Sequence, residues 1–240
     1  MKAILITICG RAGSKGVKNK NIRDFLGQPL VQYTIDQAKA FKKTCLEYEI
    51  DIAVNSDSEE LHNIAERNGC TIVNRKEENA TDSAAKVPVI IDTVQKMEQK
   101  TGNKYLYVLD LDITSPLRTL KDIQNGLKKI ETEQYDCVFS VVPARRNPYF
   151  NMIEEKNGKA KKVIEADFVS RQQAPEVYDM NASIYFYKRD ALGNKIRTMP
   201  FDGNFSFFVM KDYGVIDIDS EEDFELMEVI YPIIIGDNDE

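Results

Sequence analysis

Ala3-Ile4-Leu5-Ile6-Thr7-Ile8 is a short, continuously apolar and mostly β-branched run, followed after Cys9 by a loop of glycines and cations. A strand with no polar alternation suits burial on both faces, the environment of a strand inside a parallel sheet covered by helices. Gly10-Arg11-Ala12-Gly13-Ser14-Lys15-Gly16-Val17-Lys18-Asn19-Lys20-Asn21 then brings three glycines and four cations to the carboxyl end of that strand. Glycines let backbone N–H groups approach an anion closely, and cations neutralise it, so the stretch reads as a polyphosphate site at the sheet edge. The spacing Gly10-x-x-Gly13-x-x-Gly16 matches neither G-x-G-x-x-G nor G-x-x-x-x-G-K-[ST]. On these residues alone, a solvated basic loop stays open.

The rest of the chain repeats the strand-then-helix rhythm. Pro29 opens a helix with Val31, Ile35 and Ala38 on its apolar stripe, and Ile50 to Val54 is the second strand. Asp57 with Glu60 resembles a capping box for a helix carrying Leu61, Ile64 and Ala65, closed by Gly69; Thr71 to Val73 follows as a strand. Arg75 to Ser83 reads as a loop, and Pro88 starts a helix with Ile90, Ile91, Val94 and Met97 on its buried side. Tyr105 to Leu109 is a strand whose exit, Asp110 to Arg118, carries carboxylates, hydroxyls and an arginine where open α/β sheets place their sites. Thr119 caps a helix with Leu120, Ile123, Leu127 and Ile130, and Cys137 to Val142 returns to strand. This alternation predicts a doubly wound α/β fold with a mostly parallel sheet.

From Pro143 to Asn181 the rhythm changes to a polar, loop-rich excursion, with a hairpin expected through Asn157-Gly158 that joins Asn151–Glu155 to Lys161–Glu165. Such an excursion is either an arm for a partner subunit or a lid. Ser183 to Tyr187 and Phe205 to Met210 resume strands, and Ser220 with Asp223 starts a last helix bearing Phe224, Met227 and Ile230. The 240 residues are expected to form a single domain, with no linker demanded.

Composition excludes several classes. A net charge of −7 argues against general nucleic-acid or anionic-membrane binding, and the cations cluster in the opening loop instead. Met1-Lys2 runs straight into the first strand with no leader pattern and no apolar run of about twenty residues, which predicts a cytoplasmic protein. Cys9, Cys45, Cys70 and Cys137 show no C-x-x-C spacing and read as reduced, mostly packed thiols. The single histidine, His62, reads as a solvated surface residue, so chemistry must run on carboxylates, cations and metal.

Val215-Ile216-Asp217-Ile218-Asp219 places two acids at i and i+2, both on one face of an extended segment with the isoleucines packed on the other. Such oxygen ligands suit Mg²⁺, which keeps waters and bridges carboxylates to a substrate phosphate. The alternative is that Asp219 caps the final helix and Asp217 is solvated.

Taken together, Arg11 to Asn21, Ile113-Thr114-Ser115-Pro116-Leu117-Arg118, Arg171-Gln172-Gln173-Ala174-Pro175 with Asn181-Ala182-Ser183-Ile184-Tyr185, and Asp217-Ile218-Asp219 resemble, in order and spacing, the acylneuraminate cytidylyltransferases. The resemblance spans residue 3 to about 230. Val17-Lys18-Asn19-Lys20-Asn21, Val142 to Asn151 and Tyr178 to Ser183 look similar to the branch acting on N,N'-diacetyllegionaminic acid. It implies a Rossmann-like nucleotidyltransferase fold and CTP-dependent activation of a nine-carbon keto sugar acid, with Mg²⁺ as cofactor. It also implies a homodimer built on the 143–181 excursion. Arg11, Ser14, Lys15, Lys20 and Asn21 would hold the nucleotide with Arg75 near the base, and Asp112, Thr114, Asn181 and Tyr185 would border the sugar. Asp217 and Asp219 would hold the metal, and Arg171 would reach the sugar carboxylate of a neighbouring subunit. Asp217, Arg11 and Lys20 are the expected catalytic groups. One departure stands out: the family commonly reads Gln-Pro where this chain has Asp112-Ile113, placing an anion at a sugar-facing position that would repel a carboxylate. A CMP-sialic acid or CMP-octulosonate synthetase, or a nucleotide-binding homologue without turnover, are the other readings.

Overall fold

The computed structural model describes residues 2–13, 16–81 and 84–236. Ser14 and Lys15 of the expected nucleotide site lie outside the described residues. The central sheet has seven strands: β1 (Lys2–Cys9), β4 (Tyr48–Ser56), β5 (Thr71–Asn74), β6 (Tyr105–Leu111), β7 (Cys137–Pro143), β10 (Tyr178–Lys188) and β11 (Phe205–Val209). Two-residue strands β2 (Asp24–Phe25) and β3 (Gln28–Pro29) pair with each other after the opening loop, and β8 (Ile153–Lys156) pairs with β9 (Lys159–Lys162) in the excursion. The sheet order is β11-β7-β10-β6-β1-β4-β5, parallel throughout except at β10, which runs antiparallel to both β6 and β7. β1 is flanked by β4 and β6, so the chain leaves it in one direction and later returns on its other side. That reversal opens a crevice at the carboxyl end of β1, the position where open α/β sheets bind ligands.

Period-2 side-chain alternation along the strands divides the core between two faces. Ile4, Ile6 and Ile8 of β1 pack with Ile50, Ile52 and Val54 against α1 (Leu30–Thr44), α2 (Glu59–Arg67), α4 (Leu120–Thr132) and α5 (Glu221–Gly236). Ala3 and Leu5 face α3 (Lys86–Thr101), whose Val87, Ile90, Val94 and Met97 supply the second cluster with Ala191, Leu192 and Ile196. Gly126 of α4 lets the helix lie flat on the sheet: a β-carbon there would meet the Phe186 and Phe208 rings at 2.8–2.9 Å.

Several local expectations are corrected. α2 is capped by Ser58, whose hydroxyl accepts from Leu61 N–H at 3.3 Å, and not by Asp57. α3 begins at Lys86, two residues before Pro88, since proline is tolerated in a first helical turn. Asn157 (φ 56°) and Gly158 (φ 73°) make the expected two-residue turn, but two left-handed residues force pairing to start at once, Lys156 with Lys159, so the strands lie closer to the turn than expected. β10 starts at Tyr178, inside the excursion, and a break in register between Met180 and Tyr185 with Ala182 at φ 49° marks a bulge. His62 is not simply solvated: its Nε2 lies 2.9 Å from the Ser56 carbonyl oxygen. The Thr119–Asp122 and Ser220–Asp223 helix starts form as expected, each with reciprocal side-chain and backbone bonds.

Candidate active site

A cavity of about 310 Å³ occupies the crevice at the carboxyl ends of β1, β4 and β6. Of the residues marked in the sequence, Arg11, Lys20, Asn21, Arg75, Asp112, Thr114 and Asp219 line it. Arg75 Nε donates to Asn55 Oδ1 at 3.0 Å, fixing the guanidinium over the end of β4, and the Asn21 amide donates to the Arg11 carbonyl at 3.0 Å. Asp57, released from helix capping, accepts the Ala12 N–H at 2.7 Å and pins the glycine-rich loop.

The loop and the aspartate segment meet directly. Lys20 Nζ donates to the Ile218 carbonyl and lies 3.2 Å from Asp219 Oδ1. Asp223 takes over capping of α5 through Ser220, so Asp219 is not the cap and its side chain stays 79% exposed at the cavity. Residues 216–219 form no strand; they follow a 3-10 turn, Asp212–Val215, and Ile218 N–H donates to the Thr114 carbonyl at 3.0 Å, tying the segment to the exit of β6. Ile218 is buried and Ile216 packs on the core, which turns Asp217 the other way. Burial, then the Asp112 charge, pushes the Asp217 carboxyl up to about 6, with Thr114 and Lys20 drawing it back. Its Oδ1 is buried with no hydrogen-bond partner. An orphaned, reluctantly ionised carboxylate beside an exposed one is a donor set that fits a hard cation shared with substrate phosphate oxygens.

A residue the sequence reading passed over completes the wall. Lys86 places Nζ 2.7 Å from Asp110 Oδ2 and 2.5 Å from Asp112 Oδ2, and 5.9 Å from the centre of the Tyr185 ring. Burial disfavours the ammonium, but the two carboxylates outweigh it and hold its pKa well above the usual lysine value. Burial likewise opposes the Asp112 charge, yet Lys86 and the Thr114 amide hold that carboxyl at about 2. Asp112 is therefore an anion already paired with a cation, and the uncompensated charge expected at this position is corrected to an ion pair.

Other expected residues lie elsewhere. Asn181 is buried off the cavity wall: Oδ1 accepts from Ser140 Oγ at 2.6 Å and Nδ2 donates to the Gly214 carbonyl at 3.0 Å, which ties the β10 bulge to the turn leading into Asp217. Tyr185 sits across from Asp110 in the β10–β6 ladder, its phenol pushed up by burial. Arg171 lines a separate hollow of about 540 Å³ beside Ala144, whose carbonyl it binds at 2.8 Å. Arg118 is fully buried and turned away, donating to Gln37, Thr34, the Ser183 carbonyl and the Asp112 carbonyl; burial lowers its pKa to about 10.

The family model described as Cytidylyltransferase matches residues 5–231. The chain belongs to this family. It is 41% identical over 231 residues to "Post-translational flagellin modification protein B" of Campylobacter coli, covering 96% of this chain and 95% of that protein. It is 40% identical over 234 residues to "CMP-N,N'-diacetyllegionaminic acid synthase" of Campylobacter jejuni, with the same coverage of 96% and 95%. Among solved structures, the CMP:2-keto-3-deoxy-manno-octonic acid synthetase complexed with CTP superposes with a TM-score of 0.69 at 14% identity, covering 97% of this chain and 99% of that one. At that identity the likeness carries the fold, and it agrees with the mostly parallel α/β sheet.

Proposed function

We propose that this cytidylyltransferase transfers CMP from CTP to the anomeric hydroxyl of a nine-carbon 2-keto sugar acid, with N,N'-diacetyllegionaminic acid as the sugar, and releases pyrophosphate. The observation that carries it is the contact of Gly16 and Lys20 with Ile218–Asp219 beside one cavity, in a chain 40% identical to a relative named for that product. Arg11 and Lys20 face the cavity as cations where triphosphate charge would accumulate, and spreading charge on phosphate oxygens is the main demand of phosphoryl-type transfer. Asp217, with its carboxyl near 6, takes the proton of the anomeric hydroxyl as its oxygen forms the bond to the α-phosphorus and the bond to the β-phosphate oxygen breaks. Asp217 and Asp219 would hold Mg²⁺, which supplies charge neutralisation on the triphosphate when bound.

The enzyme works as one domain and as a homodimer in the cytoplasm, with excursion 143–181 reaching a second copy. Support comes from Arg171, which lines a hollow apart from its own cavity, and from the exposed β8–β9 hairpin. No helix among the described residues is long and apolar enough to cross a membrane. The test is pyrophosphate release on incubation with CTP, Mg²⁺ and, separately, N,N'-diacetyllegionaminic acid, N-acetylneuraminic acid and an octulosonic acid. Turnover greatest with the first is the expected result; greater turnover with either of the others reassigns the sugar, and silence with all three removes the enzymatic reading.

A further inference from the structure

Lys86 is the first residue of α3, where a cation opposes the helix dipole, so the needs of the helix do not explain it. Its ammonium bridges Asp110 and Asp112, and its side chain keeps 33% exposure on the cavity wall. Asp110 is wholly buried and its other oxygen accepts from Thr7 Oγ1 at 2.7 Å. Asp112 spends its other oxygen on Thr114, N–H at 3.2 Å and hydroxyl at 3.1 Å. An ammonium has three donors. One is donated to Asp112 Oδ2 while the ammonium also lies in ion-pair contact with Asp110, so donor capacity remains for the cavity. Arg11 and Lys20 reach the cavity from the loop after β1 and Arg75 from the residue after β5, whereas Lys86 reaches it from α3 and pairs with Asp112 at the exit of β6.

We infer that Lys86 is a specificity-determining residue of the sugar-acid pocket: clamped on Asp110 and Asp112, it cancels charge that would repel the sugar carboxylate, keeps Asp112 on Thr114, and offers a remaining N–H to an oxygen of the sugar. This rests on the reading of the chain as a sugar-acid cytidylyltransferase. Nearby Tyr185 gives the same ammonium an aromatic face on the β10 side. Loss of Lys86 therefore strikes sugar affinity first, because the two carboxylates it bridges are left without their cation and Asp112, on the cavity wall, faces a substrate that is itself anionic.

The experiment is steady-state kinetics of the wild type, K86M and K86M/D112N with CTP and N,N'-diacetyllegionaminic acid. K86M raises KM for the sugar acid by about tenfold or more, the loss of one charge-assisted bond, and moves KM for CTP by less than about threefold. K86M/D112N recovers part of the sugar affinity, since a neutral amide still accepts from Thr114 without repelling the substrate. A purely structural role predicts instead that both KM values rise together with no recovery. A sugar KM within about twofold of wild type in K86M, or parallel rises without recovery, overturns the inference. If K86M lacks the wild-type circular dichroism spectrum, K86Q takes its place with the same expectations and the same overturning results. Wild-type protein that releases no pyrophosphate with any sugar acid overturns the functional reading and this inference with it; wild-type turnover with an unmoved variant KM overturns the inference alone.

Discussion

Gly16 lies so close to the main chain of Asp219 that a β-carbon at residue 16 would sit 1.9 Å from the Asp219 carbonyl oxygen. A loop near the head of the chain and a segment more than two hundred residues later are thus in backbone contact, held also by Lys20 on the Ile218 carbonyl. The glycine is required for space, because the obstruction is backbone and cannot rotate away.

Gly16→Ala is therefore expected to separate the loop from Asp219 while leaving the core untouched. Pyrophosphate release falls by at least about tenfold, and the melting temperature moves by no more than a few degrees, since the change lies outside the hydrophobic clusters. A variant with wild-type turnover would show that the contact is incidental to the site.

Asp57 and Ser58 are neighbours with separable jobs, and a pair of alanine variants tells them apart. Ser58→Ala removes the α2 cap and costs about 1 kcal/mol in urea denaturation, with KM for CTP unchanged. Asp57→Ala frees the Ala12 N–H and raises KM for CTP by about threefold to tenfold at nearly unchanged stability. The reverse pattern would return Asp57 to the helix.

This pair also shows what sequence reasoning reaches and what it does not. A three-residue spacing from Asp57 to Glu60 looks like a capping box, but the choice between Asp57 and Ser58 depends on which side chain has a competing partner, and that partner, Ala12, lies 45 residues away. Ser220 and Asp223 were readable because cap and partner are local. The strand and helix order was readable from hydrophobic periodicity, and the sequence also marked Arg11, Lys20, Arg75 and Asp219, which line one cavity. Lys86 was not, because its meaning comes from Asp110 and Asp112 across the sheet edge, and it sits in a turn masked by the stronger Pro88 signal. Arg118 belongs to a stretch read as site-lining, yet Thr34, Gln37 and Ser183 draw it inward from α1 and β10; only tertiary packing brings those acceptors together.

Asp217 carries a pH signature that does not depend on turnover. Its carboxyl lies near 6 in the folded chain against an ordinary 3.8, so its contribution to stability is fully present below about 3.8 and is lost as the pH rises through about 6. Asp217→Asn escapes that loss. Thermal melts at stepped pH should show the variant more stable than wild type at pH 7 to 8, with the gap closing as the pH falls from about 6 toward 4. Added Mg²⁺ should raise the wild-type melting temperature at the higher pH and raise that of the variant less. Turnover of the variant falls by about a hundredfold to ten-thousandfold. Melting curves that keep the same separation at every pH would remove the uncompensated carboxylate from the site.

Arg171 provides the sharpest test of a shared pocket. Its guanidinium binds the Ala144 carbonyl in a hollow of about 540 Å³ that contains none of the residues lining the cavity at Arg11 and Asp219, so on the proposed function its service to a sugar carboxylate is expected to fall to another copy. Arg171→Ala and Asp217→Ala should each be nearly inactive alone. Co-expressed in equal amounts, half of the dimers are hybrids, and each hybrid holds one site with an intact Asp217 from one chain and an intact Arg171 from the other, beside one doubly defective site. Activity should therefore return to about one quarter of wild type. If Arg171 instead serves its own chain, neither site of a hybrid is intact and the mixture stays as inactive as its parents.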